Sequence, residues 1–344
     1  MAPPVTIDST PQRALIIVPT VVLVFSTLAI GLRFYAHQIK RQRFVVDDAL
    51  ALGGLIFAYG LHINLCISVA FGGLGVSITT LEVSNIVVYA KTIIAGGALY
   101  GTAVTLLQVS ILFLYVRLFS IVRWHVVACY VVMGFCVAWW IAFFGGTMGD
   151  CVPLQKLWTP TEHGTCIDQN KACGATGIAH IILDLIILIL PLPIIWNMKI
   201  DMTRKFFVSV IFSIGIFATV CSILRISCIV SLIKIDSSDP TASTWMSYLF
   251  ESLEVSMGVI CVCSSSVPVV YSRVSPRLGS YARNLLSSLR GRSRFTTNHS
   301  QSSTGGEELG YIGAGASNAN TVPSKQGTTN DDIALADTTP RAAV

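Results

Sequence analysis

Apolar residues in this chain gather into long runs instead of alternating with polar ones. A helix needs about 20 predominantly apolar residues to cross a bilayer. Seven runs meet that length, at 14–32, 48–70, 92–116, 124–147, 173–196, 208–232 and 244–270. The pattern predicts an all-α polytopic membrane protein, a bundle of seven transmembrane helices. Polar positions inside the runs are few, so each one asks for a reason. His180 and Asp184, one helical turn apart in "AHIILDLIILILPLPIIW", are the clearest case, because an ionised carboxylate costs several kcal/mol at a bilayer centre.

Composition agrees. Of 344 residues, 53% are hydrophobic and 12% charged, against the roughly 25% charged residues of soluble domains. Placement of the basic residues adds an orientation. Lys and Arg concentrate in the connections 33–47, 117–123 and 197–207 and at 273–294, fifteen of them against five on the other side. By the positive-inside rule the N-terminus is predicted outside and the C-terminus in the cytosol. The opening "MAPPVTIDSTPQR" lacks a cationic n-region, so the first run reads as a retained signal-anchor. The expected organisation is a short outer segment at 1–13, a membrane domain at 14–271, and a basic, then Ser/Thr/Gly-rich tail at 272–344. That tail has too little apolar surface to fold alone. Basic residues are not interleaved with aromatics, which argues against nucleic acid as a partner. The bilayer is the partner that composition requires, with the plasma membrane the expected location.

Ten cysteines are present, mostly inside apolar runs where a thiol packs as a small hydrophobe. No Cys/His spacing matches a metal site, and neither a metal nor a cofactor is expected. Cys151 and Cys166 differ from the rest, lying in the outward connection between runs 4 and 5. A disulfide there would constrain the unfolded chain by about 3 kcal/mol; two free thiols, or pairing of either with Cys173 or Cys66, are the alternatives. On the cytosolic side, Asp47 and Asp48 open run 2. They either cap its N-terminus, where the macrodipole favours a carboxylate, or bridge to Arg117 or Arg123.

The segments "GLRFYAHQIKRQRFVVDDALAL", "QVSILFLYVRLF", "CVPLQKLW…GTCID", "DLIILILPLPIIW", "TRKFFVSVIFSIG", "SILR" and "ESLEVSMGVICVC" resemble, in that order, the motif series of the fungal rhodopsin-domain family. The resemblance implies a seven-helix membrane protein, some of whose relatives are considered receptors for surface or chemical cues. Coupling to a heterotrimeric G protein is an expectation at that level only. The sequence departs from the family pattern where Gln108 replaces a usual lysine and His180 a usual asparagine. A retinal pigment needs a buried lysine for its Schiff base; run 7 has none, and Lys91 and Lys234 sit at membrane boundaries. Retinal chemistry is therefore excluded.

At 1.5 Å of rise per residue, His62, His180, Asp184, Arg225, Glu251 and Glu254 fall about 10–16 Å below the outer end of their helices. His180 and Asp184 share a helical face, as do Glu251 and Glu254. One arginine cannot neutralise three carboxylates, so at least one must be protonated or paired with a histidine. Two readings stand beside each other: a polar, outward-opening cavity for an unknown extracellular ligand, and a buried ion-pair knot that fixes helix register. The leading function is a receptor-like protein whose cytosolic connections relay a cue. The alternatives are an accessory or transport protein of a secondary-metabolite pathway, and a membrane-embedded enzyme, terpene-cyclase-like, using Asp184, Glu251 or Glu254 as its acid. No ordered catalytic set is visible.

Overall fold

The computed structural model describes residues 2–267 apart from 6, 8, 42–43, 159–162, 168, 198–201 and 236–239. The tail expected from 272 onward, with its sequon at Asn298, lies outside the described residues. Seven helices are long and apolar enough to span a membrane, and the protein is an all-α seven-helix membrane bundle.

The spanning helices are α1 (Thr10–Lys40), α2 (Val46–Ala70), α3 (Val83–Leu118), α4 (Arg123–Gly149), α5 (Gln169–Ile189), α7 (Met202–Ile235) and α9 (Trp245–Ser264), with short α6 (Leu192–Asn197) and α8 (Pro240–Ser243) between them. Several outrun the apolar stretches that announce them. α1 starts at Thr10 because Ser9 and Gln12 form a capping box, which satisfies orphan N–H groups outside the apolar run. The fifth run is not one rod. It breaks after Ile189 and resumes at Leu192, because Pro191 has no N–H and disfavours helix at Leu190.

Neighbour contacts run α1–α2–α3–α4–α5–α7–α9 and back to α1, while α3 also meets α5 and α9 across the middle. The bundle is thus a closed ring whose centre holds α3 and α9. Its core includes Leu55, Tyr100, Val104, Leu107, Leu112, Val255 and Val259. Val21, Phe25, Leu28, Ile63, Phe135 and Ile141 point outward and stay exposed, as lipid-facing positions must. Apolar residues on both faces are what a membrane helix requires.

The two ends of the bundle differ in chemistry. At one end β1 (Cys151–Val152) pairs antiparallel with β2 (Thr165–Cys166), placing Cys151 opposite Cys166. These two cysteines form the disulfide, and Cys66 and Cys173 are free. The same end carries the Gly73–Gly75 turn, whose glycines have φ of 71° and 89°. A Cβ at Gly73 would collide with Leu81, so glycine is required there on two counts. We call this the disulfide side and the opposite end, which carries Arg33, Asp47 and Arg117, the basic side.

Candidate functional site

α5 approaches α7 closely at Gly177, where an added Cβ would fall on the Ile226 side chain. That contact sets the helices carrying His180 and Arg225 side by side. His180 is fully buried against the Trp139 ring, with centroids 4.9 Å apart. Its Nε2 lies 2.6 Å from Glu254 Oε1 and 3.3 Å from Asp184 Oδ2. The Gln108 amide of α3 donates to Asp184 Oδ1 at 2.8 Å and faces His180 Nδ1 at 3.4 Å. This arrangement suits the tautomer with its proton on Nε2, shared toward the two carboxylates. Ser222 of α7 donates to Asp184 Oδ2 at 3.1 Å.

On the disulfide side of these groups, the Tyr100 hydroxyl donates to Glu254 Oε1 at 2.8 Å and accepts from Arg225 Nη2 at the same distance. The Arg225 guanidinium lies over the Tyr100 ring, 4.5 Å from its centroid. Its Nε approaches Glu254 Oε2 to 3.5 Å, an ion pair too poorly aligned to be a hydrogen bond. Arg225 thus has Glu254 as its carboxylate partner, and reaches it mainly through Tyr100.

Five of the six residues grouped by depth converge in this region. His180, Asp184, Arg225 and Glu254 form one network, and Glu251 lines a chamber beside Arg225. His62 stands elsewhere: its Nε2 meets Thr20 Oγ1 of α1 at 3.1 Å. Equal depth does not fix which way a helix face turns. Sequence reading missed Tyr100, Trp139 and Ser222, which sit in apolar runs with no pattern to mark them. Gln108 did carry a signal, because it and His180 are two departures from the family pattern, and here they touch each other.

The network separates two chambers. The smaller, about 210 Å³, lies toward the disulfide side and is lined by Tyr100, Cys173, Arg225, Tyr248 and Glu251 among others. The larger, about 700 Å³, begins at Gln108, Asp184 and Glu254 and extends to Leu118 and Ser265 near the basic side. The chamber that Arg225 and Glu251 line, on the disulfide side, is therefore the smaller of these two. His180, Asp184 and Glu254 present ligand atoms within 4.8 Å of one another, a grouping that resembles a metal site. The imidazole already bridges both carboxylates, however, and Arg225 supplies a neighbouring positive charge.

A second charge cluster closes the basic side. Arg33, only 2% exposed, donates from Nε to Asp48 Oδ1 and from Nη2 to Asp47 Oδ2, each at 2.7 Å. Its Nη1 donates to the Val262 carbonyl of α9 at 2.7 Å. His37 Nε2 lies 3.0 Å from Asp48, and Arg117 lies 3.8 Å from Asp47. Asp48 Oδ2 also accepts from Val45 N at 3.1 Å, so the helix cap and the ion pair are the same residue. Arg123, exposed in the first turn of α4, is not among the partners in these contacts.

A "SAT4 family membrane protein" of Emericella nidulans is 29% identical over 231 residues, covering 67% of this chain and 56% of that protein. "Satratoxin biosynthesis SC1 cluster protein 4" of Stachybotrys chartarum is 24% identical, covering 53% of this chain and 63% of its own length. "Polyenoic acids biosynthesis gene cluster protein Ba17b" of Metarhizium anisopliae is 26% identical, covering 55% and 52%. The chain thus spans between half and two-thirds of the length of these relatives. No solved structure matches it. The fungal rhodopsin domain matches residues 32–273, from the end of α1 through α9, and the chain belongs to that family.

Proposed function

We propose that this protein is a receptor-like membrane protein whose disulfide side faces outward at the plasma membrane and whose basic side, with residues from 272 on, faces the cytosol. The observation that carries the reading is the network dividing the two chambers. It ties α3, α5, α7 and α9 together, yet Arg225 holds Glu254 only through a long ion pair and a shared tyrosine. A small molecule entering the 210 Å³ chamber meets Arg225 and Glu251 directly. Whichever of them it engages changes the balance of charge that holds α7 against α9, which is how a ligand shifts a conformational equilibrium. The moving helices would present the cytosolic connections to a partner; a heterotrimeric G protein is the family-level expectation.

The test is a second-messenger reporter in a fungal host exposed to surface and chemical cues. The expected result is a response by wild type that Glu251→Gln and a deletion from residue 272 each abolish at unchanged surface abundance. A response that both variants retain would overturn the proposal. A second reading, an accessory protein of secondary metabolism, is favoured by relatives named for satratoxin and polyenoic-acid clusters. Biosynthetic genes flanking this one, with product titre lost on its deletion and no cue response, would select that reading.

A further inference from the structure

The larger chamber has a chemistry of its own, and its occupant does not depend on whether the protein signals. About 700 Å³ falls within the roughly 300–1,000 Å³ of small-molecule sites. Its walls are apolar, with Leu107, Ile111, Ile187, Leu188, Phe212 and Val255 contributed by four helices. It follows α3 from Gln108 to Leu118, about 15 Å of helix. Only its inner end, at Gln108, Asp184 and Glu254, carries charge.

That end is short of donors. Gln108 Oε1 and Glu254 Oε2 accept no hydrogen bond, although both residues are only 5% exposed. Asp184 is partly open, with 19% of its side chain accessible. Buried acceptors are nearly always satisfied in folded proteins. Here Gln108 Oε1 has no donor and Glu254 Oε2 has only the 3.5 Å ion pair with Arg225, so acceptors outnumber donors at this end and favour a donor from outside the chain. A carboxylate-ended molecule would instead add an anion beside Asp184 and Glu254.

We infer that this chamber binds a single-chain amphiphile whose polar end is a hydrogen-bond donor, an amine or a hydroxyl. The head seats against Gln108, Asp184 and Glu254, and the chain runs toward the basic side.

The experiment uses the full chain in phosphatidylcholine nanodiscs and a dodecylamine carrying a photoreactive group on its chain. Peptide mapping should find saturable label on segments 107–118 and 187–192. Dodecylamine or dodecanol should displace it at roughly tenfold lower concentration than dodecanoate, the difference one charge-assisted hydrogen bond makes. Displacement by the amine alone assigns the head to an ammonium ion; displacement by both assigns it to a neutral donor. Ala218→Phe, which fills the chamber wall, should reduce the label, and Gln108→Leu should narrow the gap between competitors. Label that never saturates, that falls equally on lipid-facing Val21, Phe25 and Leu28, or that all three competitors displace alike would overturn the assignment. The wild-type map decides this even if a variant fails to fold.

Discussion

Two clusters of arginine and carboxylate lie inside this bundle, and they behave differently. On the basic side, Arg33 uses three nitrogens on Asp48, Asp47 and the Val262 carbonyl, each at 2.7 Å. Arg117 and His37 stand by, and neither chamber includes Arg33, Asp47 or Asp48 in its lining. The second cluster sets three acids, Asp184, Glu251 and Glu254, around a single arginine, Arg225, which pairs with Glu254, and the group borders a chamber on each side. The first cluster sets cations against anions where neither chamber reaches and works as a clamp. The second leaves acids in excess beside two chambers, and that excess is what a ligand can answer. A buried ion pair by itself decides nothing; its stoichiometry and the space around it do.

The contrast can be broken by removing each arginine. Arg33→Leu leaves Asp47 with the 3.8 Å contact to Arg117 and Asp48 with His37 and the Val45 N–H. Both carboxylates are under 2% exposed, and loss of the main partner of a buried pair costs about 3–5 kcal/mol. Surface abundance and thermal stability should collapse. Arg225→Leu should cost less, about 2–3 kcal/mol, because Glu254 keeps His180 and Tyr100; adding Glu254→Gln should recover part of it, whereas adding Asp184→Asn should not. Equal losses from the two arginines, measured by unfolding in detergent, would erase the distinction between clamp and site.

The frame that holds the second cluster is sharpened by Gly177→Val. Its side chain must displace Ile226, and overpacking of this kind costs roughly 1–3 kcal/mol. The α5–α7 seam should open and the His180–Glu254 contact lengthen, seen as a lower unfolding temperature together with a changed cue response. A variant that unfolds earlier but responds normally would separate the seam from the site. The smallest expected effect concerns which cluster faces the cytosol. Asn298-His299-Ser300 is a glycosylation acceptor sequence, and in a cytosolic tail it stays unmodified. A glycosidase-sensitive mass shift lost in Asn298→Gln would invert the orientation and exchange the roles of the two sides.

Much of the fold was legible because bilayer crossing is a one-dimensional demand: length and apolarity suffice, and the seven runs satisfied it. Break points were partly legible. Pro191 was in plain view inside run 5, yet tolerance of proline in membrane helices left open whether it would kink the helix or end it. The clamp was half legible, since Asp47 and Asp48 stood out while Arg33 was counted only among the residues that orient the chain. Arg33 sits on α1 and its partners on α2, so no periodicity within either helix links them.

The sequence by itself determined the number of spanning helices, the family, the cysteines apt for a bridge and the place of each polar residue along its helix, because these depend on position along one axis. Tertiary structure alone decided which of those residues meet. His62 turned toward Thr20 while His180 turned toward Glu254, although their positions along their helices gave them similar expected depths. It also placed Tyr100 between Arg225 and Glu254, and put the larger chamber on the basic side of the network. Rotation about the helix axis and choice of neighbour come from side-chain packing across the bundle, as where Gly177 admits Ile226, and that packing has no local signature in the chain.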